Sequence, residues 1–143
     1  MNTFRNSLGF TRIALPTLIF LATFSAAVQG DEIQVKLSGG MEVPPVTTAA
    51  TGTGTIVVGR DSAVSGSVTT TGIAGTMAHI HLAAVGKNGP VIIPLTKNGD
   101  STWTVPAGAK LTGDQYRAFE AGELYVNVHS AAYKGGEIRG QLK

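Results

Sequence analysis

Short alternating runs of β-branched residues, interrupted by glycine, constrain the fold of this chain more than any other feature. Gly, Thr, Val and Ala dominate from residue 31 onward. Alternation with period two places successive side chains on opposite faces of a strand. Such runs, separated by turn residues, predict an all-β fold: an antiparallel β-sandwich or barrel of about six to eight short strands. The predicted strands are residues 33–38, 54–59, 63–70, 77–83, 91–94, 101–105, 124–129 and 137–142.

The dipeptide Asn98-Gly99 is a strong turn signal, because both residue types tolerate the positive φ angles of tight hairpin turns. It predicts a hairpin that joins a strand at 91–95 to a strand at 101–105. The second of these strands carries Trp103, the single tryptophan of the chain. We expect this side chain in the core, with an exposed aromatic platform for carbohydrate or protein as the alternative.

Residues 113–121 depart from the strand pattern and predict one short helix. Thr112 and Gln115 have the spacing of a capping box, in which each side chain bonds the backbone N–H of the other residue. Gly122 stands where such a helix would end. Phe119 lies on the apolar side of this segment, so we expect it to pack over one end of the sandwich or barrel.

The N-terminal segment has the composition of a secretory signal peptide. Arg5 and Arg12 precede the apolar run 13–24, and small residues follow it as far as Gly30. This order of a positive, an apolar and a small-residue region predicts a signal peptide at residues 1–30. The apolar run of about 12 residues is shorter than the roughly 20 that span a bilayer, so an uncleaved membrane anchor is the less favoured alternative.

Residues 31–143 are then expected to form one secreted or periplasmic domain with no membrane span after signal cleavage. The chain has 11 Lys and Arg and 9 Asp and Glu; two of the basic residues lie in the predicted signal peptide, which leaves nine of each sign. Balanced charge does not indicate a nucleic-acid partner. The chain has no cysteine, so stability must come from packing, assembly or a metal ion instead of disulfides.

All three histidines of the chain lie in two predicted strands. His79 and His81 are two residues apart and therefore share one strand face, together with Met77. His129 ends the predicted strand at 124–129 and could meet them if the two strands are neighbours. Three imidazoles suit zinc or copper, and a thioether would favour copper, especially Cu(I). The alternative is that the histidines are structural and form hydrogen bonds.

The sequence does not indicate an enzyme. It has no cysteine, no nucleophile elbow, no phosphate-binding loop and no pair of carboxylates in catalytic spacing. Glu137 is the carboxylate expected nearest to His129, but Glu137 and Arg139 are also spaced to share a strand face. We expect these two side chains to form an exposed ladder and to neutralise each other. A small copper enzyme is the least favoured hypothesis.

Four blocks of sequence resemble the CHRD domain family, named from repeats in chordin and common in secreted bacterial proteins. This resemblance implies a β-sandwich or barrel of immunoglobulin-like character in an extracytoplasmic protein, without a defined activity. It extends over nearly all of residues 31–143. The blocks are LSGGMEVPP at 37–45, HIH at 79–81 with GKNGPV at 86–91, LYVNVH at 124–129 and GGEIRGQL at 135–142.

The chain departs from the family pattern at three places. Leu82-Ala83 follows the paired histidines where the family usually has Gly-Pro, and Tyr133-Lys134 stands where it often has Asn-Pro. These differences affect loops more than the fold. The position two residues before the first histidine is commonly alanine in the family, and here it is Met77. The methionine is therefore the more distinctive residue on the histidine face.

The sequence thus predicts a secreted, non-enzymatic CHRD-type protein with a metal site formed by His79, His81, His129 and Met77. The expected cofactor is a copper or zinc ion, and the expected role is metal buffering, delivery or assembly. The competing hypothesis is an extracytoplasmic interaction or adhesion module with structural histidines. A protein partner or a homo-oligomer is compatible with both hypotheses.

Overall fold

The alternating runs form an antiparallel sheet of nine strands in the computed structural model, which describes residues 29–143. The all-β class is confirmed, with slightly more strands than expected. A 3-10 helix, Gly39–Met41, follows the first strand, and helix α1, Gly113–Glu120, precedes the eighth. The strands are β1 Gly30–Ser38, β2 Thr51–Gly59, β3 Val64–Thr71, β4 Gly75–Leu82, β5 Val91–Pro94, β6 Thr96–Asn98, β7 Thr102–Thr104, β8 Leu124–Ser130 and β9 Ile138–Leu142.

The sheet curves into a nearly closed barrel. Its strand order is β5-β4-β8-β9-β1-β2-β3-β7-β6, so the two edge strands are consecutive in the chain. Leu95 connects them, and its N–H donates to the carbonyl of Ala78 in β4 over 2.9 Å. This bond brings the two edges of the sheet together, which leaves few unpaired backbone groups at the edges.

The predicted hairpin at Asn98-Gly99 is correct in its turn and wrong in its first strand. Gly99 has a φ of +69°, as the turn requires. The turn joins β6 to β7, whereas β5 pairs with β4. Pro94 has no N–H to donate, and the N–H of Leu95 is directed to β4. The first strand therefore ends at Pro94, and the strand that enters the turn is the separate short strand β6.

The interior of the barrel is filled by the inward-facing residues of the strands. Trp103 is only 2% exposed and belongs to this core, so its predicted core position is confirmed. Burying one Val, Leu or Ile side chain contributes about 1.5–3 kcal/mol, which makes this core the main source of stability in a chain without disulfides. Its most buried members include Val35, Leu37, Ile56, Val58, Val68, Ile80, Leu124, Val126, Val128, Ile138 and Leu142.

Helix α1 has the predicted capping box. The Thr112 hydroxyl accepts the Gln115 N–H over 3.3 Å, and the Gln115 side-chain oxygen accepts the Thr112 N–H over 2.9 Å. At the other end, Gly122 has a φ of +73°, and the Glu123 N–H donates to the Ala118 carbonyl. These bonds form a Schellman motif, which satisfies the last carbonyls of the helix. Both ends of the helix are thus determined by local sequence.

Strands β8 and β9 are buried on both faces, which is unusual for strands of an antiparallel barrel. Their inner face joins the core. Their outer face carries polar side chains. The loop at 131–137 is hydrogen-bonded to β8 and the loop at 83–90 to β9, and the loop at 39–50 is bonded to Glu137, the residue before β9. We call this buried set the outer polar layer; it consists of His81, Tyr125, Asn127, His129, Glu137, Arg139 and Gln141 with Glu42 from the first loop.

The predicted signal peptide lies outside the described residues, except for Gln29 and Gly30. No helix in the part of the chain that the structure describes has the length and hydrophobicity to cross a membrane.

Candidate metal centre

The pairing of β4 with β8 brings the three histidines together. Met77 lies opposite His129 in the register, His79 opposite Asn127 and His81 opposite Tyr125. One ring nitrogen from each histidine lies within 4.8 Å of the others. The shortest approach joins His79 Nδ1 to His129 Nε2 at 3.0 Å. The two histidine blocks of the sequence therefore form one cluster.

Backbone carbonyls determine which nitrogen of two histidines is free. His81 Nδ1 is 2.9 Å from the Gly89 carbonyl oxygen, and His129 Nδ1 is 2.8 Å from the Lys134 carbonyl oxygen. A carbonyl only accepts, so both Nδ1 atoms must carry the proton. In the neutral rings the two Nε2 atoms therefore hold lone pairs. Metal-binding histidines are commonly oriented in this way, by a hydrogen bond from the other ring nitrogen.

The donor set fits a small transition-metal ion. Two nitrogens bound to one zinc ion at about 2.0–2.1 Å lie roughly 3.3 Å apart in tetrahedral geometry. The His79–His129 separation of 3.0 Å is close to that value, and the 4.8 Å limit means that the farthest pair needs a modest contraction. His81 Nε2 is buried and has no hydrogen-bond partner in residues 29–143, so its lone pair is available to a metal ion.

Burial favours the neutral, metal-binding form of the His79 and His81 imidazoles. Desolvation lowers the pKa of His79, and the neighbouring His129 and His81 lower it further. Desolvation also lowers the pKa of His81, although the bond to Gly89 and the nearby Asn127 oppose this effect. Lower pKa values favour the neutral rings at neutral pH, and a metal binds only a neutral imidazole.

Comparison with known families gives a match to the CHRD domain over residues 33–142. The chain belongs to the CHRD family. No curated protein and no solved structure has a significant match to it. The resemblance seen in the four sequence blocks is therefore confirmed, and the matched region contains all three histidines.

Met77 lies beside the histidine cluster of this CHRD domain. It faces His129 across the β4–β8 pair, and its side chain is 50% exposed. The cluster is thus buried on the side of His81 and His129 and open on the side of Met77 and the half-buried His79. The role of Met77 as a ligand stays a prediction, and its position allows the thioether to reach a metal from solvent.

Sequence reasoning missed the groups that hold His81 in place. Its ring stacks on Tyr125 with centroids 4.7 Å apart and an interplanar angle of 3°. Gly89 accepts from His81 and donates its N–H to the Tyr125 hydroxyl over 3.4 Å. The three residues form a closed contact, so the loop at 83–90 and β8 together orient the ring. The stacked tyrosine is 2% exposed and is not part of a surface platform.

We predict that Gly89→Ala weakens metal binding without removing a ligand. A Cβ at Gly89 would overlap the Leu82 carbonyl oxygen, so the loop must shift and the carbonyl that holds His81 must move. Loss of a hydrogen bond that orients a ligand typically lowers metal affinity about 10–100-fold. Gly40→Ala is the matched control, because a Cβ there meets nothing within 4 Å. Wild-type affinity in Gly89→Ala, measured by metal titration, would contradict this role of the loop.

The expected exposed ladder of Glu137 and Arg139 is wrong. Both side chains are buried, and the two do not form an ion pair. Glu137 instead accepts a hydrogen bond of 2.7 Å from the Thr48 hydroxyl. The loop at 39–50 packs over the outer face of β9 and removes these residues from water. Strand alternation placed them correctly on one face but could not show that a distant loop covers it.

Glu42 is a second buried acid that the sequence did not reveal. It is 5% exposed, and its Oε1 has no hydrogen-bond partner in the described part of the chain. Burial raises the pKa of Glu42 to about 7, even though the nearby Arg139 guanidinium acts to lower it. The Glu-Val-Pro-Pro segment therefore inserts a carboxyl group into the outer polar layer.

We predict that Glu42→Gln stabilises the metal-free CHRD domain at alkaline pH. The folded pKa of about 7 exceeds the model value of 4.5, so the folded state binds more protons between these values. The contribution of Glu42 to the free energy of unfolding therefore falls as pH rises from about 4.5 to 7. Urea unfolding should show a similar stability at pH 5 and a gain of about 2 kcal/mol at pH 8. The exposed Glu32→Gln control should show no such gain.

Proposed function

We propose that this CHRD-domain protein binds one copper or zinc ion through His79, His81 and His129, with Met77 as a further ligand for copper. The observation that carries the proposal is the convergence of three ring nitrogens within 4.8 Å. Two of the rings are held by backbone carbonyls in the tautomer that leaves Nε2 unprotonated; His81 Nε2 has no hydrogen-bond partner in the described residues, and His129 Nε2 accepts from His79 Nδ1, a bond that a metal ion would replace. A surface histidine pair without function would need neither the convergence nor the burial.

The proposed role is metal buffering, delivery or metal-dependent assembly in a secreted or periplasmic protein, without catalysis. The site offers three nitrogens and opens on the side of His79, which suits loading and release of an ion. Glu137, the acid proposed as nearest to the site, is bonded to Thr48. A hydrolytic metal site needs a positioned acid or base beside the open coordination position, and this acid is engaged elsewhere.

Metal titration of the purified protein is the direct test. We expect uptake of one equivalent of copper or zinc, and copper should be found in protein isolated from its native compartment if it is the physiological ion. Met77→Leu should weaken Cu(I) binding and leave zinc binding unchanged, because a thioether is a soft ligand. Met41→Leu is the matched control, since Met41 is similarly exposed and lies outside β4.

Absence of stoichiometric uptake would overturn the proposal. The interaction or adhesion hypothesis makes the opposite prediction for a variant with all three histidines changed to alanine: partner binding persists. The metal hypothesis predicts that this variant loses metal uptake and any assembly that depends on metal. A pull-down with and without chelator, compared between this variant and the wild type, separates the two hypotheses.

A further inference from the structure

Arg139 is a buried cation that forms no ion pair within the described residues, although the Glu42 carboxyl group lies near enough to interact with its charge. Its side chain is 1% exposed. Its guanidinium donates to three neutral oxygens: Asn88 Oδ1 at 3.3 Å, Gln141 Oε1 at 3.4 Å and the Ala84 carbonyl at 3.5 Å. Buried arginines are normally paired with acids, because an unpaired charge is costly to desolvate. The position of Arg139 suggests that its charge acts on the neighbouring histidine cluster.

The guanidinium lies behind the metal cluster, with one aromatic ring between them. Its Cζ is 3.4 Å from the centre of the Tyr125 ring, and the His81 ring is parallel to Tyr125 at 4.7 Å. Strand β8 lies between β4 and β9, so His81 and Arg139 contact Tyr125 from its two sides. Arg139, Tyr125 and His81 form a stack that ends at the proposed metal ligand.

Two acids share the outer polar layer with Arg139. Glu42 faces it, and burial raises the pKa of this carboxyl to about 7, so Glu42 is only partly ionised at neutral pH. Glu137 directly precedes β9 and is held by Thr48. Neither acid contacts the guanidinium closely enough to form an ion pair. Glu42 offsets part of the guanidinium charge once it is ionised, and the rest acts on the metal position through the Tyr125 ring in an interior with little screening by water.

We propose that Arg139 determines the charge preference of the metal site and adapts it to Cu(I) in preference to divalent ions. This inference rests on the proposed metal site and names the ion that the site holds. A positive charge opposes a divalent ion about twice as strongly as a monovalent one. At a separation of about 8 Å and an effective dielectric constant of about 20, Coulomb's law gives an effect of about 30-fold in affinity for each unit of metal charge.

The test compares the affinities for Cu(I) and Zn(II) in the full chain and its variants. Cu(I) affinity is measured anaerobically against a chromophoric Cu(I) chelator, and Zn(II) affinity against a zinc indicator, both at pH 8. We expect Arg139→Gln to lower the ratio of Cu(I) to Zn(II) affinity about 30-fold. Arg139→Lys keeps the charge and should keep the ratio. Arg117→Gln is the control, because it removes an exposed arginine from helix α1.

Glu42→Gln makes the test independent of the folding of the Arg139 variants. It removes a negative charge that faces Arg139, so the ratio of Cu(I) to Zn(II) affinity should rise, opposite in sign to Arg139→Gln. An equal loss of both affinities in Arg139→Gln, or an unchanged ratio in Glu42→Gln, would overturn the charge role and leave the metal site in place. Failure of the wild type to bind either ion would instead overturn the proposed function.

Discussion

Replacing His129 with alanine is expected to reduce the affinity for copper or zinc by more than about 100-fold, beyond the range typical of residues that only orient a ligand. His129 is the member of the cluster that β8 contributes. Its Nε2 is 3.0 Å from His79 Nδ1, and its Nδ1 is held by the Lys134 carbonyl. Without it, His79 and His81 remain on one strand as a two-nitrogen site. Two such ligands bind zinc or copper far less tightly than three.

Isothermal titration or competition with a metal indicator measures this loss. Thr53→Ala is a suitable control, because Thr53 is an exposed strand residue on β2, outside the pair of strands that forms the cluster. Far-UV circular dichroism should show that the His129 variant is folded, since a side chain at the end of β8 is not part of the hydrophobic core. Wild-type affinity in the folded variant would contradict the three-histidine site.

Trp103→Ala should lower the free energy of unfolding by about 3–5 kcal/mol, the usual loss for truncating a large buried aromatic residue. Trp103 lies in β7 opposite Val68, which is fully buried. Its ring packs on Gly75, where a Cβ would come within 2.9 Å of the ring. Alanine would leave a large cavity between β3, β4 and β7, and the surrounding strands can collapse into it only partly.

Urea unfolding followed by circular dichroism provides the measurement, because the variant lacks the only tryptophan. Trp103→Phe separates packing from polarity. The indole Nε1 has no hydrogen-bond partner in the described residues, so phenylalanine removes an unsatisfied donor and should lose less stability than alanine. The half-exposed neighbour Thr104→Ala should change stability by no more than about 0.5 kcal/mol. Equal stability of Trp103→Ala and wild type would contradict the core role.

Local patterns predicted those parts of the fold that depend on neighbouring residues. The capping box of Thr112 and Gln115 and the stop at Gly122 depend on contacts within a few residues, and the structure confirms them. The shared face of His79 and His81 follows from strand alternation alone. The prediction that the strand at 91–95 continues into the Asn98-Gly99 hairpin was wrong. The Leu95 N–H bonds instead to β4, a partner distant in the sequence.

The outer polar layer could not be predicted in the same way. An alternating strand with polar residues on one face normally exposes that face to water. Here three loops cover it, so Glu137 and Arg139 became buried residues with partners from other loops. Glu42 and Gly89 belong to loops that the sequence marks only as turn or stop signals. Their roles depend on contacts with distant segments, such as the bond from the Gly89 N–H to the Tyr125 hydroxyl and the bond from Asn88 to the Val43 carbonyl.

The sequence by itself determined that this chain is an all-β member of the CHRD family and that His79, His81 and Met77 share a strand face. These properties follow from local alternation and from motifs read in order. Only the tertiary structure decided that His129 meets the other two, because the register of β4 against β8 is set by the packing of the whole barrel. It alone placed Arg139 behind His81, because burial of a charge depends on which distant segments cover it.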